Sequence, residues 1–296
     1  MGLMDPLEQQ VRHTILLALQ EDRAGCDITS KACIPTQQRA RAEFVLKQST
    51  TVAGLRFLPW ICQAIDETLS LQVFAADREV HTEGKILASI EGNAQSILAG
   101  ERTALNMLQH ACGIAQLTSE FVQAVEGYNC AILDTRKTLP GLRAIQKYAV
   151  TMGGGSNHRL HLEERFLIKN NHLRLLQETT LHPVKEAILR ARQLRPGSEV
   201  EVEVEDLEML QEALDAGAEW ILLDNMTPAL VAQAVEITQN RARLEASGGI
   251  HLGNVRAYAA TGVHGISIGA LTHSVKAIDI SLRVHFLTKE KTDVHT

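Results

Sequence analysis

The chain has 296 residues, of which 45% are hydrophobic and 22% charged, a composition typical of a globular protein with one large domain or two ordinary ones. No apolar run approaches the roughly 20 residues that a membrane-spanning helix needs, so no membrane is expected as a partner. The net charge of −6 argues against a nucleic-acid partner. Because the chain shows no secretory signal at its start and its five cysteines form no CxxC pair, we expect a cytoplasmic protein with buried or half-buried free thiols.

The first third of the chain predicts an α+β domain. A helix is expected over residues 5–22, where Asp5 can cap the first turn and Pro6 suits the first helical position. Alternating apolar residues predict a strand within 39–54, and shorter strands separated by turn residues are expected over 71–97.

A long helix is predicted from Ala99 to about Val125. Apolar residues recur on one of its faces, while Arg102, Asn106 and Gln109 share another face, which is polar. The apolar face is expected to pack into a core.

After Gly127 short apolar strands alternate with helices. Each strand ends in a polar residue or glycine, and the later ends recur every 21 to 23 residues, the length of one strand, one helix and two tight turns. The six predicted ends are Asp134, Lys169, Glu203, Asp224, Ser247 and Gly269. Consecutive units of this kind close most simply into a β/α barrel of the TIM type, in which these ends share one cleft. A doubly wound open sheet is the alternative.

Cationic side chains are concentrated just after these strand ends. Gly153–Gly155 precedes part of the group and allows a close approach of the main chain to a ligand. Arginine has the planar geometry to bind carboxylates and phosphates. We therefore predict an anion site rather than a merely solvated face, formed from Arg136, Lys137, Arg143, His158, Arg159, His161, Lys169 and His172.

Acidic residues alternate with valines in one strand. Glu199, Glu201, Glu203 and Glu205 therefore point to one side of it, which would be the lumen of a barrel or the solvent face of an isolated strand. In a barrel, Asp224 at the end of the next strand would join Glu203. Two carboxylates with phosphate oxygens and waters are ligands that Mg²⁺ takes, so a magnesium site is predicted there.

Glycine-rich turns follow the last two predicted strands, at Ser247–Gly249 and Gly269–Ala270. Their main-chain N–H groups could hold a phosphate, although tight turns alone would also require glycine. No activated nucleophile is evident, and Lys169 as a Schiff-base lysine is the one covalent option. The pattern favours a reaction driven by positioning and by charge stabilisation.

Eight segments, taken in order, resemble the successive motifs of the quinolinate phosphoribosyltransferases. The resemblance extends from about residue 20 to the end of the chain, with an irregular stretch only at Arg23–Cys26. The long Asp134–Arg143 and Gly153–Arg159 segments are the most specific. The others are Glu101–Asn106, Ile168–His172, Glu199–Glu205, Leu223–Asn225, Ser247–Gly249 and Ser267–His273.

The resemblance implies a reaction in which quinolinate and phosphoribosyl pyrophosphate, with Mg²⁺, give nicotinate mononucleotide, CO₂ and pyrophosphate, a step of NAD biosynthesis. It implies an α+β sandwich domain at residues 1–110, rejoined by 275–296, and an incomplete TIM-like β/α barrel at 111–274. It also implies a homodimer with shared active sites, to each of which Arg102 comes from the neighbouring subunit, and leaves any larger assembly open.

The family's motifs also imply roles for single residues. Lys137, Lys169, Glu203 and Asp224 would be catalytic, and Glu203 and Asp224 would serve Mg²⁺ directly or through water. The quinolinate carboxylates would be bound by Arg102, Arg136, His158, Arg159 and Lys169. The 5′-phosphate would lie on the two glycine turns. The complete substrate-binding set is Arg102, Thr135, Arg136, Lys137, His158, Arg159, Lys169, Glu203, Asp224, Ser247, Gly248, Gly249, Gly269, Ala270 and Leu271.

Three alternatives remain at this point. A molybdenum-transport-associated paralogue would share the fold and a similar Asp134–Thr138 segment, but the full cation set favours the transferase. A Schiff-base aldolase would use Lys169. A non-catalytic regulator would bind the anions without releasing CO₂.

Overall fold

The computed structural model describes residues 5–287. Residues 1–4 and 288–296, which include the start of the chain and the end of the segment expected to rejoin the first domain, lie outside this range. The chain forms two compact units, one comprising the residues up to Gln116, Pro140–Gly153 and those from Val275 onward, and the other comprising Leu117–Leu139 and Gly154–Ser274. The bounds expected from the sequence, at 110 and 274, stay a prediction. The sequence did not indicate that Pro140–Gly153 groups with the first unit.

The helices of the first unit follow the capping signals of the sequence. Asp5 accepts a hydrogen bond from the Leu7 amide at 3.1 Å, and Pro6 opens the first helix, as predicted. The long helix begins at Ala94 rather than Ala99, because the Asn93 side chain accepts a bond from the Ser96 amide at 3.1 Å and so caps an earlier turn. The helices are α1 (Pro6–Glu21), α2 (Ile28–Cys33), α3 (Leu58–Ile65), α4 (Ala94–Ala124), which continues into the second unit, and α5 (Arg143–Met152).

An antiparallel sheet forms the other layer of the first unit. Its strands are β1 (Arg39–Leu46), β3 (Ser70–Val73), β5 (Ile86–Asn93) and β12 (Ile280–Phe286), in the order β12-β1-β5-β3, and a separate ribbon pairs β2 (Thr50–Thr51) with β4 (Val80–His81). The Gln109 side chain donates to the Ile280 carbonyl at 3.0 Å. Gln109 therefore fixes the C-terminal strand, a role that its predicted position on a polar face did not indicate.

The second unit contains a six-stranded parallel sheet with helices between its strands. All six predicted strands are confirmed. The strands are β6 (Ala131–Leu133), β7 (Phe166–Ile168), β8 (Val200–Val204), β9 (Trp220–Asp224), β10 (Arg243–Ser247) and β11 (Gly265–Ser267). The helices are α6 (Asn170–Gln177), α7 (Pro183–Leu194), α8 (Leu207–Asp215), α9 (Pro228–Thr238), α10 (Val255–Ala259) and α11 (Ala270–His273).

The strand order decides between a barrel and an open sheet. Strands β7 to β11 are neighbours in chain order, and β11 then pairs with β6, the first strand of the unit. The ring of strands is therefore interrupted between β6 and β7, where only a single bridge joins Leu133 to Ser156. This is an incomplete β/α barrel, as expected, and a doubly wound sheet is excluded because it would reverse its strand order at a switch point.

The thiols differ in part from the expectation. All five cysteines are free, and Cys62 and Cys112 are buried, but Cys26 and Cys33 are exposed. Cys26 follows α1, and Cys33 is the last residue of α2. Both lie on polar surface segments. Within residues 5–287, no helix has the length and apolar character needed to cross a bilayer.

Candidate active site

The inner face of the barrel carries the acidic residues. Strand pairing aligns Glu201 of β8 with Trp220 of β9. It also aligns Glu203 with Leu222 of β9, and Leu222 in turn is paired with Glu245 of β10. Paired residues of neighbouring strands point to the same face, so these side chains share one surface. Val200, Val202 and Val204 are fully buried on the opposite face, toward the helices. For Glu201 and Glu203, the predicted alternation of lumen glutamates and outer valines is confirmed; Glu199 and Glu205, at the two ends of the strand, are not buried in the lumen.

Lys169 and Glu203 meet at the carboxyl ends of the strands. The Lys169 ammonium lies 3.3 Å from Glu203 Oε2, and the Asn170 amide donates to Glu203 Oε1 at 3.4 Å. The Asn170 side chain donates to Glu205 at 2.5 Å. The Lys169 side chain is still 48% exposed, so its charge can reach a ligand entering from the mouth of the barrel.

Asp224 has the electrostatics of a cation ligand. Burial raises its pKa above the ordinary value, and the nearby carboxylates of Glu203 and Glu205 raise it further, against the opposing effect of Lys137 and Lys169. A divalent cation bound here would offset this concentration of negative charge. The oxygen ligands present fit Mg²⁺, which is usually held by one or two carboxylates together with substrate phosphates.

A tight contact between two turns orients Asp224. The next residue, Asn225, has a left-handed backbone (φ 56°), and its side-chain amide donates to Asp224 Oδ2 at 2.8 Å. Gly248 packs directly on Asn225, and a Cβ at this position would overlap the Asn225 side chain and approach its main-chain nitrogen to 2.9 Å. Gly249 also has a positive φ, of 62°, but no atom lies within 4 Å of the position of its missing Cβ.

Gly248→Ala is therefore expected to lower activity strongly, by about tenfold or more, because displacing Asn225 moves the Asp224 carboxylate away from the cation that it is predicted to bind. Gly249→Ala, in the same turn, places a side chain at a positive φ without the overlap, and is expected to lose less activity than Gly248→Ala. Steady-state kinetics of both variants at several Mg²⁺ concentrations would measure the effect. Equal activity of the two variants would contradict the role of this contact.

The second glycine turn approaches Lys137. A Cβ on Gly269 would come within 3.1 Å of Lys137 Cδ, and the Thr272 hydroxyl donates to the Lys137 carbonyl at 2.8 Å. Ala270 is half-buried at the start of α11, whereas Leu271 is fully buried. The Leu271 side chain is therefore not available to a ligand.

A second group of cations lies deeper in the barrel unit. Arg159 is 9% exposed, and its pKa is lowered by burial and then by the charge of nearby Arg136. The Arg136 Nε is buried without a hydrogen-bond partner among residues 5–287. Asp134 at the end of β6 accepts the His158 amide at 2.8 Å, which fixes the start of this segment. A buried arginine held close to a half-buried one forms a site for a compact polyanion.

Most of the predicted residues thus fall into two groups within the barrel unit. Lys137, Lys169, Glu203, Asp224 and the two glycine turns lie at the carboxyl ends of the strands. Arg136, His158 and Arg159 lie near Glu201, which is on the inner face of β8. Thr135, half-buried, precedes Arg136, and its hydroxyl accepts the Lys137 amide at 3.0 Å. Arg102 belongs to the first unit, where it is exposed on α4. Of the remaining predicted cations, Arg143 begins α5 in the first unit, His161 is exposed, and the His172 ring accepts the Lys169 amide at 2.8 Å.

His158 and Arg159 also line a cavity of about 580 Å³ on the amino-terminal side of the barrel. Its other walls include Glu199, just before β8, and Trp220 at the start of β9. The sequence did not predict that this opening would be part of the site. It also did not predict a role for four residues around the two groups, which are Asp134, Arg165, Asn225 and Glu245. Glu245 could have been found, since it lies two residues before Ser247 and so on the same strand face.

The buried carboxylates of Glu201 and Glu245 lie close together below the mouth of the barrel. Burial raises the pKa of Glu245 to about 8, with further contributions from Glu201 and Asp134, and Arg165 opposes the shift. Because this pKa lies above its ordinary value, the folded state holds a proton on Glu245 that the unfolded chain has lost. The stabilisation is complete below about pH 4.5 and is lost as the pH rises toward 8.

Glu245→Gln is accordingly expected to change how stability depends on pH. Relative to the parent, the variant should gain stability between pH 5 and 8, by an amount on the order of a few kcal/mol, because glutamine carries no charge to bury. Denaturant unfolding at several pH values would measure the difference, with Glu236→Gln on the exposed surface of α9 as the control. A difference that does not vary with pH would contradict the account of Glu245.

Comparison with known proteins identifies the family. The sequence profile of the quinolinate phosphoribosyl transferase N-terminal domain matches residues 27–112, and that of the C-terminal domain matches residues 114–283. The chain belongs to the quinolinate phosphoribosyltransferase family. The two matches together cover nearly all of the residues in which the motifs of this family were found.

Individual relatives agree in length as well as in sequence. The chain is 40% identical to a nicotinate-nucleotide pyrophosphorylase (carboxylating) of Mycobacterium leprae, covering 92% of this chain and 96% of the relative. It is 39% identical to a probable enzyme of the same name from Bacillus subtilis, covering 89% and 90%. The solved nicotinate-nucleotide pyrophosphorylase of Francisella tularensis superposes with a TM-score of 0.87 at 34% identity, covering 95% and 98%.

Proposed function

We propose that this protein transfers the phosphoribosyl group of phosphoribosyl pyrophosphate to quinolinate and removes one carboxylate, giving nicotinate mononucleotide, CO₂ and pyrophosphate. One observation carries the proposal most directly. A single barrel unit holds the buried Arg159 beside the half-buried Arg136, and also a cluster of acids and lysines at its mouth. Such a unit is suited to one compact dicarboxylate and one metal-bound polyphosphate.

The two groups divide the work of binding. Arg136, His158 and Arg159 would hold the carboxylates of quinolinate, with Lys169 toward the mouth. Glu203 and Asp224 would hold Mg²⁺ and the ribose hydroxyls, and the metal would supply positive charge to the pyrophosphate. The Ser247–Gly249 and Gly269–Leu271 turns would take the 5′-phosphate through main-chain N–H groups.

The residues then support a transfer in which charge stabilisation does most of the work. The bond from C1′ of ribose to pyrophosphate breaks as the quinolinate ring nitrogen forms a bond to C1′. Positive charge on the ribose is stabilised by Glu203 and Asp224, and negative charge on the leaving pyrophosphate by Lys137 and Lys169. The positive charge on the alkylated ring nitrogen stabilises the electron pair that CO₂ leaves on the adjacent ring carbon, and that carbon then takes up a proton.

The remaining elements of the proposal concern assembly and location. The protein would act as a cytoplasmic homodimer, with Arg102 of each subunit completing the quinolinate site in the other. The exposed position of Arg102 on α4 supports this, because its side chain is accessible from outside its own unit.

Incubation with quinolinate, phosphoribosyl pyrophosphate and Mg²⁺ tests the activity. We expect nicotinate mononucleotide, detected by chromatography and mass spectrometry, with none when either substrate is left out. Borohydride treatment with a carbonyl substrate should trap no adduct on Lys169, whereas a Schiff-base enzyme would be labelled. Tight binding of quinolinate with no product would overturn the proposal in favour of a regulator.

A further inference from the structure

Arg165, immediately before β7, lies among the residues of the deeper group. Its Nη2 atom is 3.0 Å from Glu201 Oε2 and 2.7 Å from His158 Nε2. The Arg165 guanidinium also lies over the Trp220 ring, 5.7 Å from its centre. Its main-chain carbonyl accepts a bond from the Arg159 side chain at 3.1 Å. Arg165 thus contacts both His158 and Arg159, yet it lies outside the set of residues assigned to the substrates.

The surrounding cluster has the composition of a metal site. His158, Glu201 and Glu245 are all buried, and each offers a ligand atom within 4.8 Å of the others. However, the Arg165 guanidinium already lies within hydrogen-bond distance of two of the three. The positive charge that buried carboxylates require is therefore supplied by this side chain, and a metal ion between Glu201 and His158 would collide with it.

One hydrogen bond and two ion pairs around His158 show how Arg165 acts on it. The Arg159 amide donates to His158 Nδ1 at 2.9 Å, so the other ring nitrogen, Nε2, is the one that faces Glu201 at 3.1 Å. Arg165 and His158 thus converge on the same oxygen of Glu201. Arg165 fixes the position of that oxygen, and the oxygen in turn fixes the plane of the imidazole ring.

We infer that Arg165 is a positioning residue for quinolinate, which acts through Glu201 to orient His158. The inference rests on the proposed function, because it takes His158 as a quinolinate ligand. It assigns no contact between Arg165 and phosphoribosyl pyrophosphate, whose proposed ligands lie at the mouth of the barrel. A change at Arg165 should therefore affect the two substrates unequally.

Steady-state kinetics of Arg165→Met and Arg165→Lys test this separation. For Arg165→Met we expect KM for quinolinate to rise by about tenfold or more, while KM for phosphoribosyl pyrophosphate changes by less than about twofold. Arg165→Lys, which keeps the charge but not the planar fork, should give an intermediate value. Arg190→Ala removes an exposed arginine paired only with its helix neighbour Glu186, and should leave both constants unchanged.

A double variant separates positioning from stability. Arg165→Met leaves Glu201 buried without its cation and should lower the thermal unfolding midpoint. Adding Glu201→Gln removes the unpaired charge and should restore most of that loss. The raised KM for quinolinate should nevertheless persist in the double variant, because the side-chain oxygen at position 201 that orients His158 is still not fixed by an arginine.

The outcomes are distinct. A merely structural Arg165 would lower stability with both KM values unchanged, or would have its kinetics restored by Glu201→Gln, and either result overturns the inference. An equal rise in both KM values would do the same. If the parent protein forms no nicotinate mononucleotide, the proposed function fails and the inference with it. If the parent is active and Arg165→Met keeps its KM for quinolinate, the inference alone fails.

Discussion

Replacing Lys169 with alanine is expected to lower kcat/KM by about 100-fold or more, the scale seen when a charge that stabilises a transition state is removed. The Lys169 ammonium lies 3.3 Å from Glu203 and is close enough to Asp224 to lower its pKa, so it occupies the region where pyrophosphate would depart. Stability should change little, because the pair with Glu203 is about half exposed on the lysine side. Kinetics and thermal unfolding of the same preparation measure both effects.

Arg174→Ala is the matched control for Lys169. Arg174 is an exposed cation on α6, the helix that follows Lys169, and its loss changes the net charge by the same amount. Its kinetics should be those of the parent. If Lys169→Ala retained the turnover of this control, Lys169 would have no place in the reaction.

Mixing two inactive variants should restore activity if the active sites are shared between subunits. In a hybrid of Arg102→Ala with Lys169→Ala, one barrel has its own Lys169 and receives an intact Arg102 from the partner subunit. The other barrel lacks both. Random pairing of equal amounts would then recover about a quarter of the parent activity, because half of the dimers are hybrids with one working site each. Activity after subunit exchange, followed against time, measures the recovery.

The control for this experiment pairs two barrel variants, Lys137→Ala and Lys169→Ala. Both changes damage the barrel that carries them, so their hybrids contain no complete site and should stay inactive. Subunit exchange itself can be verified with a mass-tagged copy. Exchange without any recovery in the Arg102 mixture would show that each barrel is complete without the neighbouring Arg102.

Much of the barrel could be predicted from local pattern. The six strands end in polar or glycine residues at near-constant spacing, and the alternation of Glu201 and Glu203 with valines gave the direction of their side chains. Helix starts could be predicted in the same way. The Asp206 side chain accepts a hydrogen bond from the Met209 amide and caps α8, and the Thr227 hydroxyl accepts one from the Leu230 amide and caps α9. These features depend on residues close together in the chain.

The arrangement around His158 could not be predicted in this way. Glu245 approaches Glu201 only because β8, β9 and β10 pair in one particular register. Arg165 reaches Glu201 and His158 from a bend just before β7. The burial of Arg159 was equally unforeseen. Because the Arg159 side chain donates to the Arg165 carbonyl inside the unit, Arg159→Ala should lower stability as well as activity.

Release of labelled CO₂ from carboxyl-labelled quinolinate tests the central claim most directly, because it requires the dicarboxylate and the phosphoribosyl donor to meet in one pocket. The account predicts labelled CO₂ in equal amount to pyrophosphate, only when phosphoribosyl pyrophosphate and Mg²⁺ are both present, and nearly none from Lys169→Ala. Pyrophosphate formed without labelled CO₂, or label released without the phosphoribosyl donor, would contradict it.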